Sequence, residues 1–224
     1  MKILIDTADI TVIKQLYTLY HFDGVTTNPT LLSKIEGRPL DILKEIREAI
    51  PEEAQLHAEV ISDRSDVMVK EAYHILDVAG GNTYIKIPVC TEGYRAIRIL
   101  SENGVKVTAT AIFNQAQAAL AAHEGAVFAA PYIHRINNKG YDGVGTALEI
   151  QKLLTAQQCK TGLLAAAFEN VAQVAKVLES GAKALTVTPD ILMEMIENSL
   201  TEGAVKNFYS DFSQHFQQEN MLEK

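Results

Sequence analysis

The chain alternates eight short apolar segments with longer segments of helical periodicity, and this alternation is the feature that most constrains its fold. The short segments are rich in β-branched and small apolar residues, which favour strands. The predicted strands cover residues 2–6, the start of 24–29, 56–60, 83–89, 106–110, 126–132, 163–167 and 184–187. The predicted helices cover about 8–20 (capped by Thr7), 39–49, 65–78, 143–157 and 170–179, with others starting at Asn114, at Pro189 and after a Thr91 cap.

Four glycines mark the passage from a helix to the next strand, namely Gly24, Gly104, Gly125 and Gly181. Glycine just past a helix end is the usual left-handed stop. Strict alternation implies a parallel sheet with both faces covered, and eight units in 224 residues fit a compact (β/α)8 TIM barrel. An open doubly wound sheet is the alternative, but it would usually carry a glycine-rich turn where residues 6–9 read DTAD.

The predicted organisation is a single α/β domain. A barrel covers residues 1–201, and residues 202–224 add a C-terminal helical arm to it. In this arm Val205, Phe208, Phe212 and Phe216 recur at helical spacing and form an apolar stripe. The stripe could pack across its own barrel or against a neighbouring subunit.

Composition argues against several classes of partner. The net charge is −8 and no cluster of Lys and Arg forms a basic patch, so nucleic acid is not expected. No apolar run reaches about 18 residues, so no membrane partner is expected.

Asp6 comes too early for a signal peptide and two cysteines make no disulfide framework, so we expect a reduced cytoplasmic protein. No metal-ligand spacing occurs, and we predict no metal.

Residues 83–89 read TYIKIPV and form the predicted strand with the clearest chemical implication. Ile85 and Ile87 share one face of this strand, whereas its single charged residue, Lys86, lies on the other. One explanation is an edge strand whose lysine deters aggregation. The other is a barrel strand whose lysine points into a closed interior, where a desolvated amine loses its proton more readily and can attack a carbonyl.

Polar residues recur where the predicted strands end, which is where barrel enzymes place their chemistry. Four of them lie on the strand face opposite the small apolar residues, and the four strands therefore agree on which face is interior. These four are Asp6, Glu59, Lys86 and Thr110. Two carboxylates around one lysine can be a structural charge cluster, but the position at the catalytic end favours an active site. The residues are Asp6, Thr27, Asn28, Glu59, Lys86 and Thr110, with Arg135 just beyond Tyr132.

Three further polar residues have less specific interpretations. His57 lies on the interior face of its strand, and we expect a hydrogen-bonded core residue rather than a catalytic one. Cys90 follows a strand and is expected in packing or in a loop, not as a nucleophile. Arg135 lies in a predicted polar loop over 134–138, where it could bind an anion or simply face solvent.

Three runs in this order and spacing resemble the small transaldolase family, and most closely its fructose-6-phosphate aldolase branch. They are GVTTNP at 24–29, IKIPV at 85–89 and APYIHR at 130–135. The likeness extends over nearly the whole chain, from residue 4 to the helix near Phe208. It implies a class I aldolase barrel that acts on a sugar phosphate through a Schiff base and needs no cofactor.

The resemblance also implies a role for each matching residue. Lys86 corresponds to the Schiff-base lysine, and Asp6 to the acid/base group at the sugar hydroxyls. Asn28 corresponds to a ligand of a substrate hydroxyl, and Arg135 to the arginine that binds the substrate phosphate. The other implied positions are Glu59, Thr110 and Tyr132 around the catalytic water, and Thr27 and Ala167 in substrate binding.

Some positions distinguish the two activities of the family. Tyr132 and Ala130 match the aldolase branch, whereas Glu59 does not, because that branch typically has Gln there. We therefore expect cleavage or formation of the C3–C4 bond of fructose 6-phosphate, giving dihydroxyacetone and glyceraldehyde 3-phosphate. Transfer of the dihydroxyacetone unit between sugar phosphates is the alternative. A barrel that binds a sugar phosphate without turnover is a third possibility.

The chain departs from the family pattern after the seventh predicted strand. The family has A-A-S-[FI]-[KR], whose serine and cation help to hold phosphate, whereas residues 165–169 read AAAFE. Ala167 has no hydroxyl, and Glu169 is expected to repel a phosphate. The resemblance finally implies a homo-oligomer, a decamer or pentamer, in which the apolar stripe of the terminal helix docks on a neighbouring subunit.

Overall fold

A computed structural model describes residues 1–222, and its eight parallel strands form one closed barrel in chain order. The strands are β1 (Lys2–Asp6), β2 (Gly24–Thr26), β3 (Gln55–Glu59), β4 (Thr83–Pro88), β5 (Val107–Ile112), β6 (Phe128–Pro131), β7 (Gly162–Ala165) and β8 (Ala184–Val187). Because β1 pairs with both β2 and β8, the sheet has no edge. The predicted (β/α)8 TIM barrel is confirmed, and both the open sheet and the edge-strand explanation of Lys86 are excluded.

Helices follow the strands and cover the outside of the barrel. They are α1 (Ile10–Leu19), α2 (Pro29–Leu32), α3 (Pro39–Ala49), α4 (Ser65–Ala79), α5 (Thr91–Glu102), α6 (Gln115–His123), α7 (Ile133–Asn137), α8 (Gly143–Ala156), α9 (Val171–Glu179), α10 (Pro189–Ile196) and α11 (Ser199–Phe216). Among residues 1–222, no helix combines the length and the apolar character needed to cross a bilayer.

Two helix starts differ from the sequence-based prediction. Asp9, not Thr7, caps α1, because its carboxylate accepts hydrogen bonds from the backbone N–H groups of Thr11 and Val12. Thr91 is the first residue of α5 rather than its cap, and the Cys90 sulfur accepts from the N–H of Gly93 at 3.3 Å. In both cases a neighbouring side chain has the better position for the exposed N–H groups of the first turn.

The short helices α2 and α7 were not predicted. The residues of α7 were expected to form a polar loop, but they complete one helical turn after β6. Four or five residues are too few for an apolar period to emerge, so the sequence pattern carries no signal for them. This matters for function because α7 carries Arg135.

The two faces of each strand are packed differently. In β4, Ile85 and Ile87 face outward and are completely buried under the helices. Tyr84 and Lys86 alternate with them and therefore point into the barrel. A separate cluster of interior side chains fills the barrel, made of Leu4, Tyr84, Phe128, Ala130, Leu164 and Ala184.

A hydrogen-bonded cluster inside the barrel, the polar floor, consists of Gln55, His57, Tyr84 and Thr108. The His57 ring nitrogens lie 2.9 Å from the Thr108 hydroxyl and 3.1 Å from the Gln55 amide oxygen. The Gln55 amide donates to the Tyr84 hydroxyl, and His57 stacks on the Tyr84 ring at 4.6 Å. His57 is thus a hydrogen-bonded core residue, and burial lowers its pKa to about 3, so the ring is neutral.

The terminal helix α11 begins before the predicted arm boundary at residue 202, and the last two residues of that arm lie outside the described range. None of its residues is buried. Phe208 is 70% exposed and Phe216 57% exposed, while the rings of Phe212 and Phe216 lie 4.9 Å apart. The apolar stripe therefore does not pack across its own barrel.

We propose that this stripe joins copies of the chain into a homo-oligomer, because exposed apolar patches of this kind usually mark an interface. Deletion of residues 199–224 should lower the oligomeric mass measured by light scattering coupled to gel filtration. The double substitution Phe208→Ser and Phe216→Ser is the milder variant and should act in the same direction. A full-length monomer, or an unchanged mass in both variants, would contradict the proposal.

Candidate active site

Lys86 lies near the carboxyl end of β4, and only 6% of its surface is exposed. Its Nζ donates a hydrogen bond of 2.6 Å to the backbone carbonyl of Thr27. On the neighbouring strand β3, the Glu59 Oε2 atom lies 3.3 Å from the same Nζ. The amine is therefore held between a carbonyl dipole and a carboxylate inside the barrel.

Glu59 is close enough to Lys86 to form an ion pair, but the pair lacks good hydrogen-bond geometry. Within the described residues, the buried Oε2 atom of Glu59 has no hydrogen-bond partner. Burial raises the pKa of Glu59, and the positive charge of the nearby Lys86 opposes that shift. A carboxyl in this environment is suited to exchanging a proton rather than to stabilising the fold.

Asp6 ends β1 and faces the same interior space. Its Oδ1 atom accepts a hydrogen bond of 2.6 Å from the hydroxyl of Thr26, which lies 2.7 Å from the hydroxyl of Thr186. Burial raises the pKa of the Asp6 carboxyl, while the charge of Lys86 and the Thr26 hydrogen bond oppose the shift. Thr26 and Thr186 were not among the predicted site residues, although both lie on the interior face of their strands by period two.

A pair of hydroxyls occupies the opposite side of the site. Thr110 donates to the Tyr132 hydroxyl at 3.0 Å, which leaves the hydrogen of Tyr132 free to point elsewhere. Phe113 contacts the Tyr132 ring edge-on, and the Arg135 guanidinium lies 4.8 Å above the same ring. These two contacts fix the phenol between an aromatic ring and a cation.

Two residues of the 24–29 run play different parts. The Asn28 Oδ1 atom caps α2 by accepting from the N–H of Leu31 at 2.9 Å, so its amide N–H groups remain available to the cavity. The Thr27 side chain is completely buried and donates to the backbone carbonyl of His57 at 3.0 Å. Thr27 therefore contacts Lys86 through its own carbonyl, and its side chain does not line the cavity.

A small cavity of about 70 Å³ opens above Lys86. It brings together seven of the nine predicted site residues and omits Thr27 and Glu59, although both contact Lys86. Within the described range, no cluster of His, Cys, Asp and Glu is arranged to hold a metal ion. The lining residues are Asp6, Thr26, Asn28, Lys86, Thr110, Ala130, Tyr132, Arg135, Leu164, Ala166, Ala167 and Thr186.

The departure from the family pattern has a structural consequence at Glu169. This carboxylate was expected to face a phosphate, but it does not line the cavity. It accepts hydrogen bonds from Asn137 and Gln173 and lies 2.7 Å from the Nδ1 atom of His134. These three side chains lower the pKa of Glu169 to about 2. Ala167, which does line the cavity, has a left-handed backbone with φ of 59°.

The fold is shared widely among barrel proteins. A solved structure of a member of the enolase superfamily from Agrobacterium tumefaciens matches with a TM-score of 0.62 and 11% identity. The match covers 86% of this chain and 50% of that chain, so this chain spans about half of the other protein. At this level of identity the likeness shows the barrel fold alone.

The sequence comparisons are more specific. A protein named probable transaldolase from Paracoccus denitrificans is 34% identical over 213 residues, which cover 95% of this chain and 97% of that protein. Another probable transaldolase, from Methanococcus vannielii, is 36% identical over 216 residues, covering 96% and 99%. A sequence model described as transaldolase/fructose-6-phosphate aldolase matches residues 3–224. The chain belongs to the transaldolase/fructose-6-phosphate aldolase family.

Proposed function

We propose that the protein is a class I aldolase that cleaves or forms the C3–C4 bond of fructose 6-phosphate through a Schiff base on Lys86. The observation that carries this proposal is a buried lysine amine beside a carboxylate at the catalytic end of the barrel. Family membership supports the class of chemistry. No cofactor takes part in the proposed reaction, because the lysine itself supplies the electron sink.

The first half of the reaction forms the covalent intermediate. After passing a proton to Glu59, the Nζ of Lys86 adds to the C2 carbonyl of the ketose, and loss of water from the carbinolamine gives an iminium ion. Glu59 lies 3.3 Å from Nζ and is the group nearest to the proton transfers of this step. Its pKa, raised by burial, allows it both to accept and to return a proton.

The second half breaks the carbon–carbon bond. Asp6 takes the proton of the C4 hydroxyl, and the electrons of the C3–C4 bond move into the iminium. Glyceraldehyde 3-phosphate leaves, and an enamine of dihydroxyacetone remains on Lys86. The raised pKa of Asp6 suits this role, because a carboxyl that ionises less readily than usual is a stronger base.

The fate of the enamine separates aldolase from transaldolase. An aldolase protonates C3 and releases dihydroxyacetone by hydrolysis, which requires a well-oriented water. Tyr132 supports this outcome, because its hydroxyl accepts from Thr110 and keeps its own hydrogen for a water in the cavity. Transaldolase transfer is the second candidate, and it is supported by Glu59 and by relatives named probable transaldolase. A binding barrel without turnover is disfavoured by the buried Asp6, Glu59 and Lys86 group.

At the other end of the substrate, we propose that Arg135 binds the phosphate. It lines the cavity and is held by stacking on Tyr132. A guanidinium is suited to phosphate because it offers several donors in one plane. Ala167 lines the same end of the cavity, where the family pattern has a serine hydroxyl.

The test of the Schiff base is borohydride trapping. Wild-type protein incubated with dihydroxyacetone and sodium borohydride should gain one reduced adduct, which peptide mass spectrometry should locate at Lys86. Lys86→Ala should lose the adduct and all aldol activity, whereas Lys176→Ala, at an exposed lysine of α9, should keep both. Trapping that persists without Lys86 would remove the basis of the proposal.

Tyr132→Phe should shift the enzyme from release toward transfer. The variant loses the hydroxyl that orients water, so protonation and hydrolysis of the enamine should slow by about tenfold, the value of one lost hydrogen bond. Release of free dihydroxyacetone is compared with transfer to added erythrose 4-phosphate, and Tyr141→Phe, at a 73% exposed tyrosine, is the control. An unchanged ratio of the two products would argue against this role of Tyr132.

Asp6→Asn should abolish cleavage and yet stabilise the protein at neutral pH. The pKa of Asp6 is higher in the folded than in the unfolded protein, so between the two values the folded state binds more protons and stability falls as pH rises. The neutral amide does not ionise and escapes this loss. The melting temperature of the variant should exceed that of the wild type at pH 7 and approach it near pH 4. A constant difference across this range would contradict the assignment.

A further inference from the structure

A carboxylate fastens α7 to the loop between β7 and α9. Glu169 lies in that loop, and its Oε1 atom is 2.7 Å from the Nδ1 atom of His134. Its Oε2 atom accepts from the Asn137 amide at 2.7 Å and from the Gln173 amide at 3.0 Å. We call Glu169, His134, Asn137 and Gln173 the carboxylate clamp.

The clamp is completed by contacts on the His134 side. The backbone N–H of His134 donates to the carbonyl of Ala167 at 2.8 Å. The Asn138 amide lies 3.0 Å from the Nε2 atom of His134, so the ring can donate through Nδ1 and accept through Nε2. The loop and α7 are joined by both main-chain and side-chain bonds.

Arg135 lies between the clamped residues but on another face of the short helix. His134, Asn137 and Asn138 share one face by their spacing of three and four, whereas Arg135 is turned toward the cavity and stacks on Tyr132. Because α7 has only five residues, it has few backbone bonds of its own to hold its orientation. Buried Ile133 and Ile136 anchor one side of the helix and the clamp holds another, and the helix held in this way directs the arginine.

We propose that Glu169 is a positioning residue, which aims Arg135 at the phosphate of the acceptor aldehyde by clamping α7, rather than a charge that repels that phosphate. The proposal rests on the function proposed above for Lys86 and Arg135. In this role the Glu169 carboxylate, at a position where the family pattern has Lys or Arg, holds α7 in place beside the binding site. The two roles predict opposite effects when the charge is removed.

The test measures phosphate recognition in Glu169→Ala. The affinity for inorganic phosphate is measured by calorimetry. KM is measured for two acceptor aldehydes, glyceraldehyde 3-phosphate and glyceraldehyde, in the aldol reaction with dihydroxyacetone as the donor. The variant should bind phosphate about tenfold more weakly and show a KM raised about tenfold for the phosphorylated aldehyde alone. The kinetics with glyceraldehyde should stay within about twofold of wild type.

Matched variants separate positioning from charge. Glu169→Gln keeps an acceptor for the clamp and should recover part of the affinity. Glu179→Gln removes the same charge at the far end of α9, where the side chain is exposed, and should have no effect. In a His134→Leu background, Glu169→Ala should weaken phosphate binding by a smaller factor than it does alone, because the two residues act through one contact.

Four results would overturn the proposal. A lower KM for the phosphorylated aldehyde in Glu169→Ala would mean that the carboxylate repels phosphate. Equal changes with both aldehydes would indicate a general structural role. Unchanged phosphate affinity in Glu169→Ala, or no phosphate binding by the wild type, would remove the link to Arg135. Failure of dihydroxyacetone trapping on Lys86 would instead count against the proposed function, since that assay involves no phosphate.

Discussion

The arrangement of the candidate active site depends on the burial of one lysine amine inside a closed barrel. Removing an amine from water is costly unless it is paired, and Lys86 is paired by the Thr27 carbonyl and the Glu59 carboxylate. The effect is mutual, because the charge of Lys86 opposes the burial that raises the pKa of Asp6 and of Glu59. One buried group thus tunes two carboxyls, and such an arrangement favours proton transfer over stability.

The polar floor keeps a neutral histidine near Lys86 and connects to Lys86 through Thr27. Protonation of His57, one interior position before Glu59, would place a second cation close to Lys86, and both burial and the charge of Lys86 oppose it. Its neutral ring needs one donor and one acceptor, which Thr108 and Gln55 provide. The main chain of His57 also holds Thr27, whose carbonyl holds Lys86. The floor and the reactive amine are therefore one connected network.

The barrel and the interior position of Lys86 could be predicted because period-two patterning leaves a visible trace in strands. The contact of Lys86 with Thr27 could not, because it is made by a backbone carbonyl that any residue would offer. The helix α7 left no trace either, since five residues carry no period. Glu169 was identified as a departure, but its partners on α7 come from a separate segment, and only the folded chain shows that its charge is already satisfied.

The site divides into two parts that differ in what holds them. Lys86, Asp6, Glu59 and Thr110 stand on strands of a closed sheet, so each is fixed by pairing on both sides. Arg135 and Ala167 stand on a one-turn helix and a loop, which are joined by the main-chain bond from His134 to Ala167 and by the side chains of the carboxylate clamp. Under the proposed function, substitutions at the second part should change which aldehyde is recognised without disturbing the amine. We therefore expect that Ala167 and Glu169, in place of the hydroxyl and the cation of the family pattern, alter recognition of the acceptor and leave the proposed bond-breaking chemistry with the strands.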